Sequence, residues 1–390
     1  MNLRRSIIKR INKLLLFYRN KQRLKTKNIA NIWCFLPYGD DFTGNIKATF
    51  ESVKHDPNII KIILADKATE SLYKHLVNPS IILIEESNLL QKKNFLILSK
   101  ASILITDQLT NAYEILKKIT PLYIPVLNLW HGIPLKKMFY AVDKQSPFTE
   151  DEALRNHFIS SSELDTQSMQ KCFQVPLQNI HLTGLPRVDL LHSPTADLQQ
   201  EYLILKEVTK DKKLLLFAPT WKSYPSKNYT FTPYDLQALS LFLQEENYIL
   251  GVREHFLTEE NSYFQQLQTI GAINLNNTEF PNIEPLLLHA KVLVTDYSSC
   301  HYDFLYLNKP SFSFAYDYEH YDKGFLYDFA DVFQYPKSYT IQDLLQRIRK
   351  VESSTENTDI QQIYQRFYKY SDNQNTQRVI NLIKNLTSNN

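Results

Sequence analysis

Chemistry-bearing residues in this chain cluster just after apolar runs. His131 and Gly132 follow YIPVL in the stretch LNLWHGIPLKKMF. After LLLFAP come Thr220, Trp221 and Lys222, and after YILGV come Arg253, Glu254 and His255. AKVLV is followed by Thr295, Asp296, Tyr297, Ser298 and Ser299. Shortly after PSFSF stand Tyr316 and Asp317, with Lys323 and Gly324 beyond. Hydroxyls, cations and imidazoles at such places suit a phosphorylated substrate. Ser298 or Ser299 would open a helix, where free N–H groups and the dipole favour an anion. Lys222 and Arg253 would neutralise a diphosphate. Taken singly, each has a plainer explanation: a helix cap for the serines, a surface ion pair for the cations, a core histidine for His131.

If these runs are parallel strands, their order explains why the polar residues sit where they do. NIWCFLPY, IIKIILA, SIILIEE, ASILITD, YIPVLNLW and HFISSS form a first series, with helical patterns between several of them. KLLLFAPTW, YILGVREH, GAINLN, AKVLVTDYSS and PSFSFAYD form a second. This is the rhythm of open parallel sheets, in which ligands bind beyond the carboxyl ends of the strands. Residues 190–211 read as a junction, and 339–388 as a helical tail. Two architectures fit at this level: a GT-B type transferase, with two Rossmann-like domains facing across a cleft, and a hinged solute-binding protein. The latter normally requires export, and the N-terminus lacks the pattern of a signal peptide.

Composition narrows the classes further. The 390 residues include only seven glycines, and neither GxGxxG nor GxxxxGK[ST] occurs, which argues against those two nucleotide loops. Cys34, Cys172 and Cys300 are odd in number and far apart, which suggests a reducing compartment and no disulfide framework. No acidic metal cluster is evident, so neither metal nor cofactor is expected. Residues 1–39 hold ten Lys/Arg and no acid, leaving 34 basic against 41 acidic residues in the remainder. An acidic body argues against nucleic acid as a partner. Within residues 1–27, Ile7, Ile11, Leu14, Leu15 and Tyr18 recur at helical spacing, while Arg4, Arg5, Lys9, Arg10 and Lys13 lie mostly opposite. The apolar run is too short to span a bilayer. A basic amphipathic helix on an anionic membrane surface fits better than a solvated helix packed on the domain.

WHGIPLKK, GLPRVDLL, LLLFAPTWK, REHF, VTDYSSCHYDFLYLNKP and AYDYEHYDKGFLYDF appear in this order. Together they resemble the CDP-glycerol glycerophosphotransferase family, which makes teichoic acids and related phosphate-linked capsule polymers. The resemblance covers roughly residues 125–330 and implies a GT-B fold, a basic membrane-associating segment and a cytidine-diphosphate polyol donor. Ile133, Lys222, Phe256 and Lys323 depart from the family pattern, which often has Thr, Arg, Pro and Arg there. Lys lacks the bidentate fork of Arg, so the identity of the polyol is open at these positions.

The expected organisation is therefore a membrane-associating helix over 1–27, an acceptor-side Rossmann-like domain over 28–195, and a donor-binding domain with helical tail over 196–390. The expected reaction moves a polyol phosphate, glycerol phosphate before others, from a CDP-activated donor to a hydroxyl of a lipid-linked or polymer acceptor. CMP is released at the cytoplasmic face of the cell membrane. His131 and His255 are the catalytic candidates: the first as base for the acceptor hydroxyl, the second beside the departing CMP. Lys222, Arg253, Ser298 and Ser299 are expected on the diphosphate, with Thr220, Asp296, Asp317 and Lys323 as weaker donor-site candidates. The other eight histidines read as structural. A nucleotide-sugar glycosyltransferase is the alternative enzyme, a degenerate scaffold in a polymer-assembly complex the non-enzyme one, and a homo-oligomer is compatible with either. Arg187 and Asp189 in GLPRVD fit either an ion pair at the domain junction or a place near the donor, the structural reading being preferred.

Overall fold

The computed structural model describes residues 31–37, 42–65, 73–109, 113, 114, 116, 124–210, 212–220, 228–254, 262–321, 324–353 and 360–388. The basic segment with Arg4, Arg5, Lys9, Arg10 and Lys13 lies outside them, as do Lys222, His255 and Lys323.

Seven strands build the first sheet: β1 (Asn31–Leu36), β2 (Ile59–Ala65), β3 (Ile81–Glu85), β4 (Ile103–Thr106), β5 (Val126–Asn128), β6 (Asn156–Ser160) and β7 (Ile180–Leu182). They run parallel in the order β3-β2-β1-β4-β5-β6-β7. Parallel strands covered on both faces read as continuous apolar runs; accordingly Trp33, Phe35, Ile62, Ile63, Leu104 and Ile105 are fully buried. The short edge strand β7, IHL, carries no such run and adds to the strands read from the sequence.

The second sheet comprises β8 (Lys213–Phe217), β9 (Tyr248–Val252), β10 (Ile273–Asn274), β11 (Ala290–Thr295) and β12 (Ser311–Ser313). Its parallel order is β10-β9-β8-β11-β12. Each sheet thus reverses its strand order beside its first strand, between β1 and β4 and between β8 and β11. Such switch points open a crevice at the carboxyl ends, where open α/β sheets bind ligands. Two Rossmann-like domains of this kind give the GT-B type fold.

Eight of the helices carry or brace the crevice: α1 (Gly44–Glu51), α2 (Glu163–Phe173), α3 (Pro186–Leu190), α4 (Ala196–Thr209), α5 (Glu284–His289), α6 (Cys300–Tyr306), α7 (Ile360–Phe367) and α8 (Asn375–Ser388). Helix α3 packs on α1 in the first domain, whereas α4 packs on α5 in the second. The tail behaves differently from the expected 196–390 unit. Its last two helices cross back, α7 onto α2 and α8 onto α3 and α1. Asp189 draws the tail there, accepting from the N–H of Asn375 (3.3 Å), Asn375 Nδ2 (2.7 Å) and the N–H of Thr376 (2.7 Å) at the start of α8. Arg378 Nε donates to Thr183 O at 2.7 Å. One apolar cluster runs from Trp33, Ile105 and Leu129 through Val379 and Ile383 to Leu216, Leu293 and Phe304. Among the described residues no helix is long and apolar enough to cross a membrane.

Candidate active site

Strand β5, one strand beyond the first switch point, delivers His131 to the carboxyl edge of the sheet. The Leu129 N–H continues the ladder by donating to Thr106 O at 2.7 Å. The chain then turns sharply: Trp130 takes a left-handed φ of 47°, and its N–H is received by Asn128 Oδ1 at 2.8 Å. A bulky residue at such an angle is strained and must be held by its surroundings. His131 emerges exposed, its ring against that of Trp130 with centroids 4.3 Å apart. Its Nδ1 lies 3.4 Å from Asp107 O at the end of β4. A carbonyl only accepts, so this contact favours the tautomer with the proton on Nδ1 and the basic lone pair on Nε2.

The second switch point gathers the hydroxyl-bearing loop. Asp296, buried directly after β11, accepts from the N–H of Thr220 at 2.7 Å and of Tyr297 at 2.6 Å. It thereby ties the end of β8 to the turn before Ser298. Thr220 Oγ1 is buried with no hydrogen-bond partner among the described residues. Ser298 and Ser299 are half-buried, and Ser299 is the cap residue of α6 without a side-chain capping bond. The Ser298 Oγ accepts a long 3.4 Å contact from the N–H of Cys300. Asp317 receives the Tyr297 hydroxyl at 2.9 Å, and Tyr263 and Tyr316 share a hydroxyl contact of 3.0 Å. Burial, with Asp317 beside it, holds the Tyr297 phenol protonated.

Arg253 stands differently from a purely diphosphate-directed cation. Its Nη1 donates to Leu275 O at 2.8 Å and to Phe280 O at 2.5 Å, and its Nη2 to Pro281 O at 3.2 Å. Much of the fork therefore braces the loop after β10. Glu254, its neighbour, accepts from the N–H groups of Tyr263 (2.8 Å) and Phe264 (3.1 Å) and so caps the helix Tyr263–Leu267.

The motifs of the two domains meet across the cleft. Gly132 has φ 141°, and a Cβ there would stand 3.2 Å from Ser299 Oγ. His131 and the seryl loop are therefore near neighbours. Beyond them, Lys136 bridges antiparallel to Phe325, the Lys137 N–H donates to Gly324 O at 3.1 Å, and the Leu326 N–H to Leu135 O at 2.9 Å. Thus the residues after WHGIP pair with those after Lys323. Ile133 is buried in the core shared by the domains.

An ion cluster backs this contact. Arg187, on α3, places Nη2 3.1 Å from Asp303 Oδ2 and 3.7 Å from Glu284 Oε1. This corrects the expected Arg187–Asp189 pair, since Asp189 is committed to α8. Burial raises the Asp303 carboxyl to about 6, with Arg187 opposing and Glu284 reinforcing the rise. Burial also keeps His301 neutral, lowering it to about 4; its Nε2 lies 2.9 Å from Val332 O, a structural role. Among the described residues no group of three His, Cys, Asp or Glu side chains is arranged to hold a metal. Asn45 and Glu284, both buried near His131, carry no local sequence signal; only their distant partners reveal them.

A model of the family described as CDP-Glycerol:Poly(glycerophosphate) glycerophosphotransferase matches residues 16–385. The chain is 30% identical over 285 residues to the teichoic acid poly(glycerol phosphate) polymerase of Bacillus spizizenii, covering 66% of this chain and 71% of that protein. It is 24% identical over 360 residues to the teichoic acid glycerol-phosphate primase of Bacillus subtilis, covering 89% and 91%. The solved structure of the wall teichoic acid polymerase TagF aligns with a TM-score of 0.73 at 22% identity, over 100% of this chain and 98% of that one. This last likeness is one of fold.

Proposed function

Since the chain belongs to the CDP-glycerol:poly(glycerophosphate) glycerophosphotransferase family, we propose that it moves glycerol phosphate from CDP-glycerol to a hydroxyl of a lipid-linked teichoic-acid-type acceptor. An acceptor oxygen attacks the β-phosphorus and forms a new P–O bond. The bond from that phosphorus to the bridging oxygen breaks, and CMP leaves with the electron pair. Three tasks fall to the protein: taking the hydroxyl proton, stabilising charge on the phosphoryl group, and aligning the two reactants.

His131 takes the proton, on Nε2. Ser298 and Ser299 donate to phosphate oxygens, as does Thr220 Oγ1. Lys222, Lys323 and His255 complete the donor site, with Arg253 shared between diphosphate and loop. Asp296 and Asp317 orient these groups without touching phosphate. Residues 1–27 hold the enzyme at the anionic cytoplasmic surface of the membrane, where the acceptor is presented.

The observation that carries this reading is the packing of Gly132 against Ser299, where a Cβ on the glycine would stand 3.2 Å from Ser299 Oγ; it sets a solvent-facing imidazole beside a pair of seryl hydroxyls. The test is CMP release by His131→Ala with acceptor present, using CDP-glycerol, CDP-ribitol and UDP-sugars in parallel. Loss of turnover in a folded variant, with CDP-glycerol preferred by the wild type, is expected. Wild-type turnover in His131→Ala removes the base assignment.

A further inference from the structure

Three consecutive carbonyls of the turn that carries His131 are held by side chains. Asn45 Nδ2 donates to Leu129 O and to Trp130 O, both at 2.9 Å. Arg187 Nη1 donates to His131 O at 2.6 Å. The two holders are joined, because the Arg187 N–H donates to Asn45 Oδ1 at 2.9 Å. Asn45 is 2% exposed and the Arg187 side chain 11%. Together they fix a turn whose left-handed Trp130 would otherwise relax.

The other side of the Arg187 fork reaches into the second domain. Asp303 lies on α6, one turn beyond Ser299, and Glu284 opens α5. Both are almost fully buried, and neither Glu284 oxygen has a hydrogen-bond partner among the described residues. Arg187 is therefore their balancing charge as well as the holder of the His131 carbonyl. A neutral donor could do only the second task, and a point cation such as Lys only one at a time. A planar fork with several fixed donors does both.

We infer that Arg187 is a positioning residue for phosphoryl transfer, tying the His131 turn of one domain to the Ser299 helix of the other. Base and phosphate-binding serines are thereby kept in register across the cleft. The inference rests on the reading of His131 as the base. Asn45 serves the same turn from the first domain alone. Arg187 adds the link between domains, which decides where the acceptor oxygen stands relative to the phosphorus.

The experiment compares Arg187→Lys, Asn45→Ala and His131→Ala. Its readouts are kcat for CMP release with acceptor, CDP-glycerol affinity by titration calorimetry, and the thermal midpoint. Arg187→Lys keeps the charge that Asp303 and Glu284 require, so it should fold and bind donor like the wild type. Its kcat should fall roughly 10- to 100-fold, because displacing a reacting group by up to about 1 Å costs that much. Asn45→Ala, which leaves the ion cluster intact, should show the same loss in kcat with donor affinity unchanged. Wild-type kcat in folded Arg187→Lys or Asn45→Ala overturns the inference, as does a fall in kcat matched by an equal fall in donor affinity. If His131→Ala is inactive while these variants turn over normally, only the positioning role fails. If His131→Ala is itself active, the base assignment fails.

Discussion

Replacing Gly132 by Ala tests the meeting of the two domains beside His131. The added Cβ would lie 3.2 Å from Ser299 Oγ, 3.5 Å from Ser299 Cβ and 3.7 Å from Arg187 Nη1. The first distance requires a shift of a few tenths of an ångström: Ser299 sits at the cap position of α6, and Arg187 is locked in its ion cluster. The backbone adds its own cost. At φ 141° a side chain is strained by about 1–3 kcal/mol. Gly271 supplies a control, because it also has a positive φ, 82°, but nothing lies within 4 Å of where an alanine methyl would stand. Gly271→Ala should lose only about 1–2 kcal/mol, from left-handed strain. Gly132→Ala should lose at least as much and, in addition, about tenfold in kcat, since the His131 turn and Ser299 must move apart. Urea unfolding of both variants and CMP release under saturating CDP-glycerol provide the two measurements. A Gly132→Ala enzyme with wild-type kcat would refute the close approach of the domains, even if its stability fell.

Further outcomes concern the ion cluster and the tail. The Asp303 carboxyl, raised from an ordinary 3.8 to about 6 by burial, binds its proton more tightly when folded. Its contribution to stability is therefore fully present below about pH 4 and is lost as pH rises through 6. Between pH 4 and 7 the wild type should lose about 2 kcal/mol relative to Asp303→Asn. Parallel stability curves for the two proteins would contradict this; Asp165, also raised to about 6 by burial, is common to both and cancels. Asp189→Ala removes three acceptor contacts at the start of α8 and should cost about 2 kcal/mol. Hydrogen exchange should then quicken selectively over 375–388, and unchanged protection there would show that apolar contacts alone hold the tail.

The amino-acid sequence by itself determined most of the strands and the segments of the site. Parallel strands buried on both faces must be apolar runs, so β1, β2, β4, β8 and β11 declare themselves. Polar residues directly after such runs must fall at the carboxyl ends of a sheet, which located His131, Thr220, Arg253, Asp296, Ser298 and Ser299 beside one crevice or the other. The edge strand β7 escaped because IHL alternates too briefly to differ from loop. Tertiary structure alone decided which groups pair. Arg187 has an acid two residues away, yet its charge pairs with Asp303 and Glu284 in the opposite domain, while Asp189 caps a helix from the tail. Asn45 reads as an ordinary helix residue until the carbonyls of Leu129 and Trp130 are brought to it. Local pattern is set by each segment's own burial and turn chemistry. A buried charge or a strained turn is satisfied by whichever partner the packed domains deliver, and that partner can come from anywhere along the chain.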